Sequence, residues 1–174
     1  GAVELAGTAV AGDERRLDPA IGLGSSWRLI FIYLGAALGV NTYLIKGFFD
    51  TIPFTLDDEN RGPYNIGFSF PFYGNEYNSV HVCSNGFLDF TSSTTSYSNS
   101  TTVLKSSVRM APLWDDLHCW QSGRVNYQTF GTTPNCTLLV SYEQVRYYGA
   151  STDSSLSFQV LMCENSGDII FQYD

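Results

Sequence analysis

The chain has 174 residues, 17 acidic against 9 basic, a formal net charge of −8, four cysteines, and 15% charged against 15% aromatic residues. Globular chains average about 25% charged residues, so a composition this poor in charge and rich in large rings excludes a disordered polar chain. The acidic balance excludes the cationic footprint needed for nucleic acid, and the length suits one ordinary domain with an appendage.

Residues 1–24 read as a small, polar N-terminal arm that ends its first stretch in Asp13-Glu14-Arg15-Arg16. It lacks the order of basic start, apolar stretch and small-residue cleavage site that marks an intact signal peptide. Ala2–Val10 is a candidate donor strand. Residues 25–53 read as an apolar helix and linker, because no residue from Leu29 to Ile45 carries a formal charge. A helix over Trp27–Lys46 would be roughly 30 Å long at about 1.5 Å per residue, the low end of what spans a bilayer. Ser25 or Ser26 would cap its start and Gly47 its end. Gly35 and Gly39 have the G-x-x-x-G spacing that lets a second helix approach closely, so they are candidate assembly residues; loose packing in any apolar helix accounts for them equally simply. Asn41 and Thr42 interrupt the run, which leaves two placements open: membrane contact through residues 27–46, or burial in an assembly.

The run from Ile32-Tyr33-Leu34-Gly35 to Thr51-Ile52-Pro53 resembles a membrane segment of the maltose-type sugar ABC-transporter permeases. That resemblance implies a membrane-anchored component related to sugar transport. The acidic-Ala-Ala docking loop that follows in that family is absent, and a permease needs several spans where this chain offers at most one.

From Phe54 the period changes to two, and residues 54–174 read as a β-sandwich domain carrying net −7 of the charge and all four cysteines. Phe68, Phe70 and Phe72 alternate along one segment. Val80 and Val82, then Leu138, Val140 and Tyr142, then Leu156, Phe158, Val160 and Met162, then Ile169, Phe171 and Tyr173 repeat the pattern. Strict alternation marks strands with one face in a core. Gly74-Asn75, Asn85-Gly86, Gly131–Asn135 and Glu164–Gly167 are turn signals, and Thr91–Thr102 is too polar to bury much and reads as a solvated loop. About eight short strands with frequent turns predict an antiparallel sandwich. The fold class expected is therefore mainly β, an antiparallel β-sandwich preceded by one apolar α-helix.

The series Leu56-Asp57-Asp58, Ile66–Gly74, Val82–Phe90, Ala111–Leu117, Gly123–Tyr127 and Phe158-Gln159-Val160 is similar to extracellular β-sandwich modules of secreted microbial surface proteins, and to the nidogen-like (NIDO) adhesion domains. The resemblance implies an extracellular or cell-surface location and a structural or adhesive role. Members of that group continue past the Phe171-Gln172-Tyr173 strand. The sandwich is therefore expected to be one strand short, with an edge that a neighbour's Ala2–Val10 would fill to build a filament or surface layer. The competing expectations are a truncated chain, or an edge covered by the chain's own first 50 residues.

Cys83, Cys119, Cys136 and Cys163 show no C-x-x-C pair, and His81 and His118 form no ligand cluster, so zinc is not expected. Outside the cell, two disulfides are the natural reading. Three pairings are open. Cys83–Cys163 with Cys119–Cys136 is favoured because Cys83 and Cys163 both lie opposite the apolar residues of their strands; four free buried thiols is the alternative. Asn99-Ser100-Thr101 and Asn135-Cys136-Thr137 fit N-x-[ST], making Asn99 and Asn135 candidate glycosylation sites.

No nucleophile elbow, zinc helix or phosphate loop is present, so no enzyme is expected. Asp115-Asp116 is the most suggestive acidic pair. On a strand, neighbours point to opposite faces, which suits acid–base work poorly. In a loop, Asp115 and Asp116 with Asp57 or Asp58 offer oxygens to calcium, the one cofactor candidate; a solvated acidic turn is the plain reading. Trp114, Trp120, Tyr147 and Tyr148 are candidates for an aromatic platform for carbohydrate, against core packing. The reading is an extracellular structural or adhesive module that self-associates or joins another surface protein. A carbohydrate- or calcium-dependent binding module is the alternative.

Overall fold

The computed structural model describes residues 31–32, 35–37, 40–42, 44–47, 49–150 and 154–174. Strands dominate them. In chain order they are β1 Phe31–Ile32, β2 Gly35–Ala37, β3 Val40–Thr42, β4 Ile45–Lys46, β5 Asp50–Ile52, β6 Asn60–Phe72, β7 Asn75–Cys83 and β8 Phe87–Asp89. A helical turn, α1 Thr101–Leu104, precedes β9 Arg109–Met110, β10 Arg124–Phe130, β11 Thr137–Val145, β12 Leu156–Cys163 and β13 Ile169–Tyr173. Two larger sheets result, one ordered β13-β12-β11-β10-β5 and one ordered β6-β7-β8-β9, beside two two-stranded pairs, β1-β4 and β2-β3. Every pairing in them is antiparallel.

The alternating residues form the core. Ile66, Phe70, Val80, Val82 and Leu88 from one sheet and Leu138, Val140, Tyr142, Phe158, Val160 and Met162 from the other are at most 1% exposed and belong to one apolar cluster. Side chains also tie the sheets together. The Tyr142 hydroxyl donates to the Cys83 carbonyl at 2.7 Å, and the Thr129 hydroxyl donates to the Ile66 carbonyl at 2.7 Å. The Tyr142 ring stacks on Phe158 with centroids 4.4 Å apart. The turns fall where their residues demand: Tyr73-Gly74 joins β6 to β7, Ser84-Asn85-Gly86 joins β7 to β8, and residues 131–136 join β10 to β11.

The helix expected over Trp27–Lys46 is not formed. Its described residues in regular structure are strands, with β1 paired to β4 and β2 paired to β3. Val40, Thr42 and Ile45 are β-branched and favour extended backbone, and each glycine in a helix interior costs about 0.5–1 kcal/mol relative to alanine. A specific contact also fixes the end of the segment. The Ile45 N–H donates to Gln159 Oε1 at 2.8 Å, and Gln159 Nε2 donates to the Ile45 carbonyl at 2.7 Å. A helix ending at Lys46 would claim the Ile45 N–H for its own ladder and take it from Gln159. Gly35 consequently sits in β2, where no helical stripe exists; Gly39 and the donor-strand candidate Ala2–Val10 lie outside the described residues. Among the described residues no helix is long and apolar enough to cross a membrane.

The polar stretch Thr91–Thr102 holds no buried residue, as expected of a solvated loop, yet it is tied down. Trp114 Nε1 donates to the Ser96 carbonyl, Asn99 Nδ2 to the Trp114 carbonyl and Arg109 Nη2 to Thr94 Oγ1, at 2.7, 2.9 and 2.9 Å. Beneath it, Arg109 pairs with Asp89 at 3.2 Å, both side chains fully buried, and the guanidinium lies over the rings of Phe87 and Trp114.

Phe158→Ala leaves a cavity in the shared core and is expected to cost about 3–5 kcal/mol. Tyr142→Phe removes only the inter-sheet hydrogen bond and is expected to cost about 1 kcal/mol. Urea denaturation checks both; equal losses would mean that the ring stack contributes nothing beyond the hydroxyl.

Candidate functional site

Three loops meet at one end of the four-stranded sheet: Thr55–Glu59 before β6, Ser84–Gly86 after β7, and Trp114–Cys119 before β10. Asn85-Gly86 brings them together. Gly86 has φ of 75°, and a Cβ there would lie 1.9 Å from the Leu113 carbonyl oxygen, so the close approach requires glycine. Asn85 is fully buried. Its Nδ2 donates to Asp58 Oδ1 at 2.7 Å and to the Thr95 carbonyl at 3.1 Å, while its Oδ1 accepts from the Leu117 N–H at 3.0 Å. Next to it, the Ser84 hydroxyl donates to the Asp57 carbonyl at 2.6 Å and accepts from the Glu59 N–H at 2.9 Å.

These contacts converge three carboxylates. Oxygen atoms of Asp57, Asp58 and Asp116 lie within 4.8 Å of one another. Asp115 does not join them: it is exposed, and its Oδ1 accepts from the Asp116 N–H at 2.8 Å, acting as a local backbone cap. Asp57 Oδ1 and Asp116 Oδ1 are buried without a hydrogen-bond partner. His118 Nε2 lies 3.8 Å from Asp57 Oδ1. Burial raises the pKa of Asp57 above the ordinary carboxylate value; His118 opposes that rise and Asp58 adds to it. Burial, and then the neighbouring carboxylates of Asp57, Asp58 and Asp115, raise that of Asp116, again against His118. The three oxygen sets suit a hard cation, which would neutralise their repulsion and give the two orphaned oxygens a ligand role.

Beside the carboxylates lies an aromatic cleft. The Leu117–Tyr147 bridge, the His118 N–H donating to the Arg146 carbonyl at 2.8 Å and the Tyr148 N–H donating to the Asp116 carbonyl at 2.8 Å lay residues 116–118 along 146–148. The His118 ring then meets Trp120 edge-on at 5.6 Å and Tyr148 at 5.3 Å. A cleft of about 450 Å³ opens among His118, Gln121, Ser122, Arg146, Tyr147 and Tyr148. Of the expected platform residues, Tyr147 and Tyr148 line this cleft and Trp120 meets it only through His118, whereas Trp114 is buried against Phe87 and Arg109. Sequence reasoning missed His118 and Asn85 as site residues. The Asn-Gly turn signal marked the position of Asn85 but not its role as a cross-link.

All four cysteines are free thiols, which corrects the expected disulfides. Cys83 and Cys163 do lie opposite the core residues of their strands, but in different sheets. Cys83 packs with Phe87 and Trp114, and Cys163 hydrogen-bonds with Thr137. Cys119 donates to the Ser84 carbonyl at 3.0 Å, and Cys136 sits 3.8 Å from Thr133 Oγ1. Burial pushes the Cys83 thiol up to about 12 and raises the other three, which disfavours reactive thiolates. Asn135 is exposed, with Oδ1 3.4 Å from the Asn165 amide; Asn99 is exposed but its Nδ2 is held by Trp114.

The family model "NIDO related" matches residues 40–174. Separately, 39 residues are 47% identical to the maltodextrin transport system permease protein MalD of Streptococcus pneumoniae (strain ATCC BAA-255 / R6). A 39-residue stretch is likewise 44% identical to the galactooligosaccharides transport system permease protein GanQ of Bacillus subtilis (strain 168). Each match covers 22% of this chain and spans only 14% of the permease. No solved structure matches the chain significantly.

A carboxyl whose pKa is raised on folding contributes stability that is present below its ordinary value, near 3.8, and is lost as pH rises through the raised value. Asp116→Asn is therefore expected to raise the urea midpoint at pH 7 and to flatten the decline in stability above pH 4. An unchanged or lower midpoint at pH 7 would show that the carboxylate is not a desolvated, repelled charge.

Proposed function

This chain belongs to the NIDO-related family, and on that footing we propose that it is an extracellular structural or adhesive module whose two sheets stack as a β-sandwich. The observation that carries the reading is the family match over residues 40–174, which takes in both sheets and the converged loops. The apolar cluster fed by both sheets supports the stacking. The reading includes no catalytic role. Its adhesive side draws support from the aromatic rings left exposed around His118, and its self-assembling side from β13, an edge strand with half-exposed Phe171 and Tyr173.

Surface labelling tests the location. Lys105 is exposed, so a membrane-impermeant amine reagent is expected to label the native protein on intact source cells. Labelling only after lysis would overturn the reading. Sedimentation velocity over a concentration series separates the two roles: growing mass supports a structural subunit, and a constant monomer mass leaves the adhesive one.

A second reading, a calcium-dependent module, is favoured by the two buried, unpartnered oxygens of Asp57 and Asp116 beside Asp58. Millimolar calcium is then expected to raise the thermal midpoint of the wild-type chain by several degrees relative to EDTA, and to leave an Asp57→Asn/Asp116→Asn double variant unmoved. Identical wild-type midpoints in calcium and in EDTA would remove this reading.

A further inference from the structure

We infer that the cleft lined by His118, Tyr147 and Tyr148, with Trp120 packed against His118, is a binding site for a neutral oligosaccharide. Three of the large apolar side chains left exposed by this fold collect around one histidine: Trp120 is 44% exposed, Tyr147 40% and Tyr148 58%. Rings that only fill a core are buried; these three stay exposed, with Tyr147 and Tyr148 held in place by the 116–118 and 146–148 pairing and Trp120 by its contact with His118. The cleft of about 450 Å³ falls in the usual range for small-ligand sites, about 300–1,000 Å³.

The lining chooses the class of ligand. Gln121 offers both donors and an acceptor, and Arg146 offers donors only. Sugar hydroxyls both donate and accept, and the C–H faces of a pyranose ring cover aromatic faces, so a polyol ring satisfies both halves of this surface. Charge narrows the choice further. The Asp57, Asp58 and Asp116 carboxylates adjoin the cleft through His118, on a chain of net charge −8, and would repel an acidic glycan. Arg146 in the lining opposes a cationic ligand such as a quaternary ammonium, which an aromatic cage alone would accept. A neutral saccharide meets neither penalty.

This inference rests on the adhesive reading for its biological use only; the chemistry of the cleft stands without it. The full 174-residue chain is applied to an array of immobilised neutral gluco-, galacto- and manno-oligosaccharides, with acidic glycans, choline and proline-rich peptides printed alongside. Binding to at least one neutral series is expected. Tyr147→Ala and Tyr148→Ala are each expected to weaken it by about tenfold or more, as for truncation of an aromatic anchor. Tyr148→Phe keeps the ring and should retain binding, which guards against a misfolded alanine variant. Tyr73→Ala should also leave binding intact, because Tyr73 is 84% exposed and sits at the far end of the β6–β7 hairpin. Silence on every neutral glycan, binding only to acidic glycans, choline or peptide, or neutral binding untouched by both alanine variants would overturn the inference. Surface labelling on intact cells would be unaffected by any of those results, so the two readings fail separately.

Discussion

The loop end of this molecule depends on one buried amide. Asn85 uses Oδ1 and both hydrogens of Nδ2 to join the segments at Asp58, Thr95 and Leu117. Its own carbonyl accepts from the Asp115 N–H at 3.3 Å. A buried amide with every group satisfied fixes geometry, whereas one with a missing partner is costly, so the three loops are held as a set. The turn that carries Asn85 exists because Gly86 admits the Leu113 backbone at a distance no side chain would allow. Position and partner therefore come from adjacent residues, Asn85 for the bonds and Gly86 for the approach.

The same convergence creates an electrostatic tension. Asp57, Asp58 and Asp116 are drawn together by backbone and amide contacts that do not neutralise them. Asn85 relieves Asp58 with a hydrogen bond, and His118 faces Asp57, but the inner oxygens of Asp57 and Asp116 receive no donor. Folding so places like charges side by side and then partly desolvates them, which costs stability unless protons or a cation are taken up. The apolar core, with both sheets contributing fully buried residues, is large enough to carry such a local cost.

What the sequence made legible was whatever depends on local pattern. The alternating runs became the core faces of β6, β7, β11 and β12, and the Gly- and Asn-rich punctuation became the turns between them. Asp57, Asp58 and Asp116 were picked as one set and meet in space; Asp115 was picked with them but lies in a bend with its carboxylate on the Asp116 N–H. Long-range partners were not legible. Nothing local says that Trp114 lies under the Thr91–Thr102 stretch with its indole N–H on Ser96, or that Cys83 and Cys163 face outward from different sheets. The polar stretch read as solvated is mostly exposed, and its Thr95 and Ser96 carbonyls also accept from the buried Asn85 and Trp114.

The apolar stretch before Pro53 shows why composition alone misassigns such a segment. A charge-free run fits a helix in lipid, a buried helix, or extended chain laid on a sheet whose second face needs covering. The third outcome has its reason in β11 and β12, where the residues pointing away from the main core are buried too: Leu139, Ser141, Gln159 and Leu161 are at most 8% exposed. Such strands need cover on both faces. Buried Leu44 lies in this segment, and Ile45 locks on through both of its backbone groups to the amide of Gln159, which stands in for a neighbouring strand. With β5 completing the five-stranded sheet by pairing to β10, Ile45 and Asp50–Ile52 belong to the same folded unit as the residues after Pro53. Among the described residues of the run, Leu44 and Ile45 give that second face part of its cover.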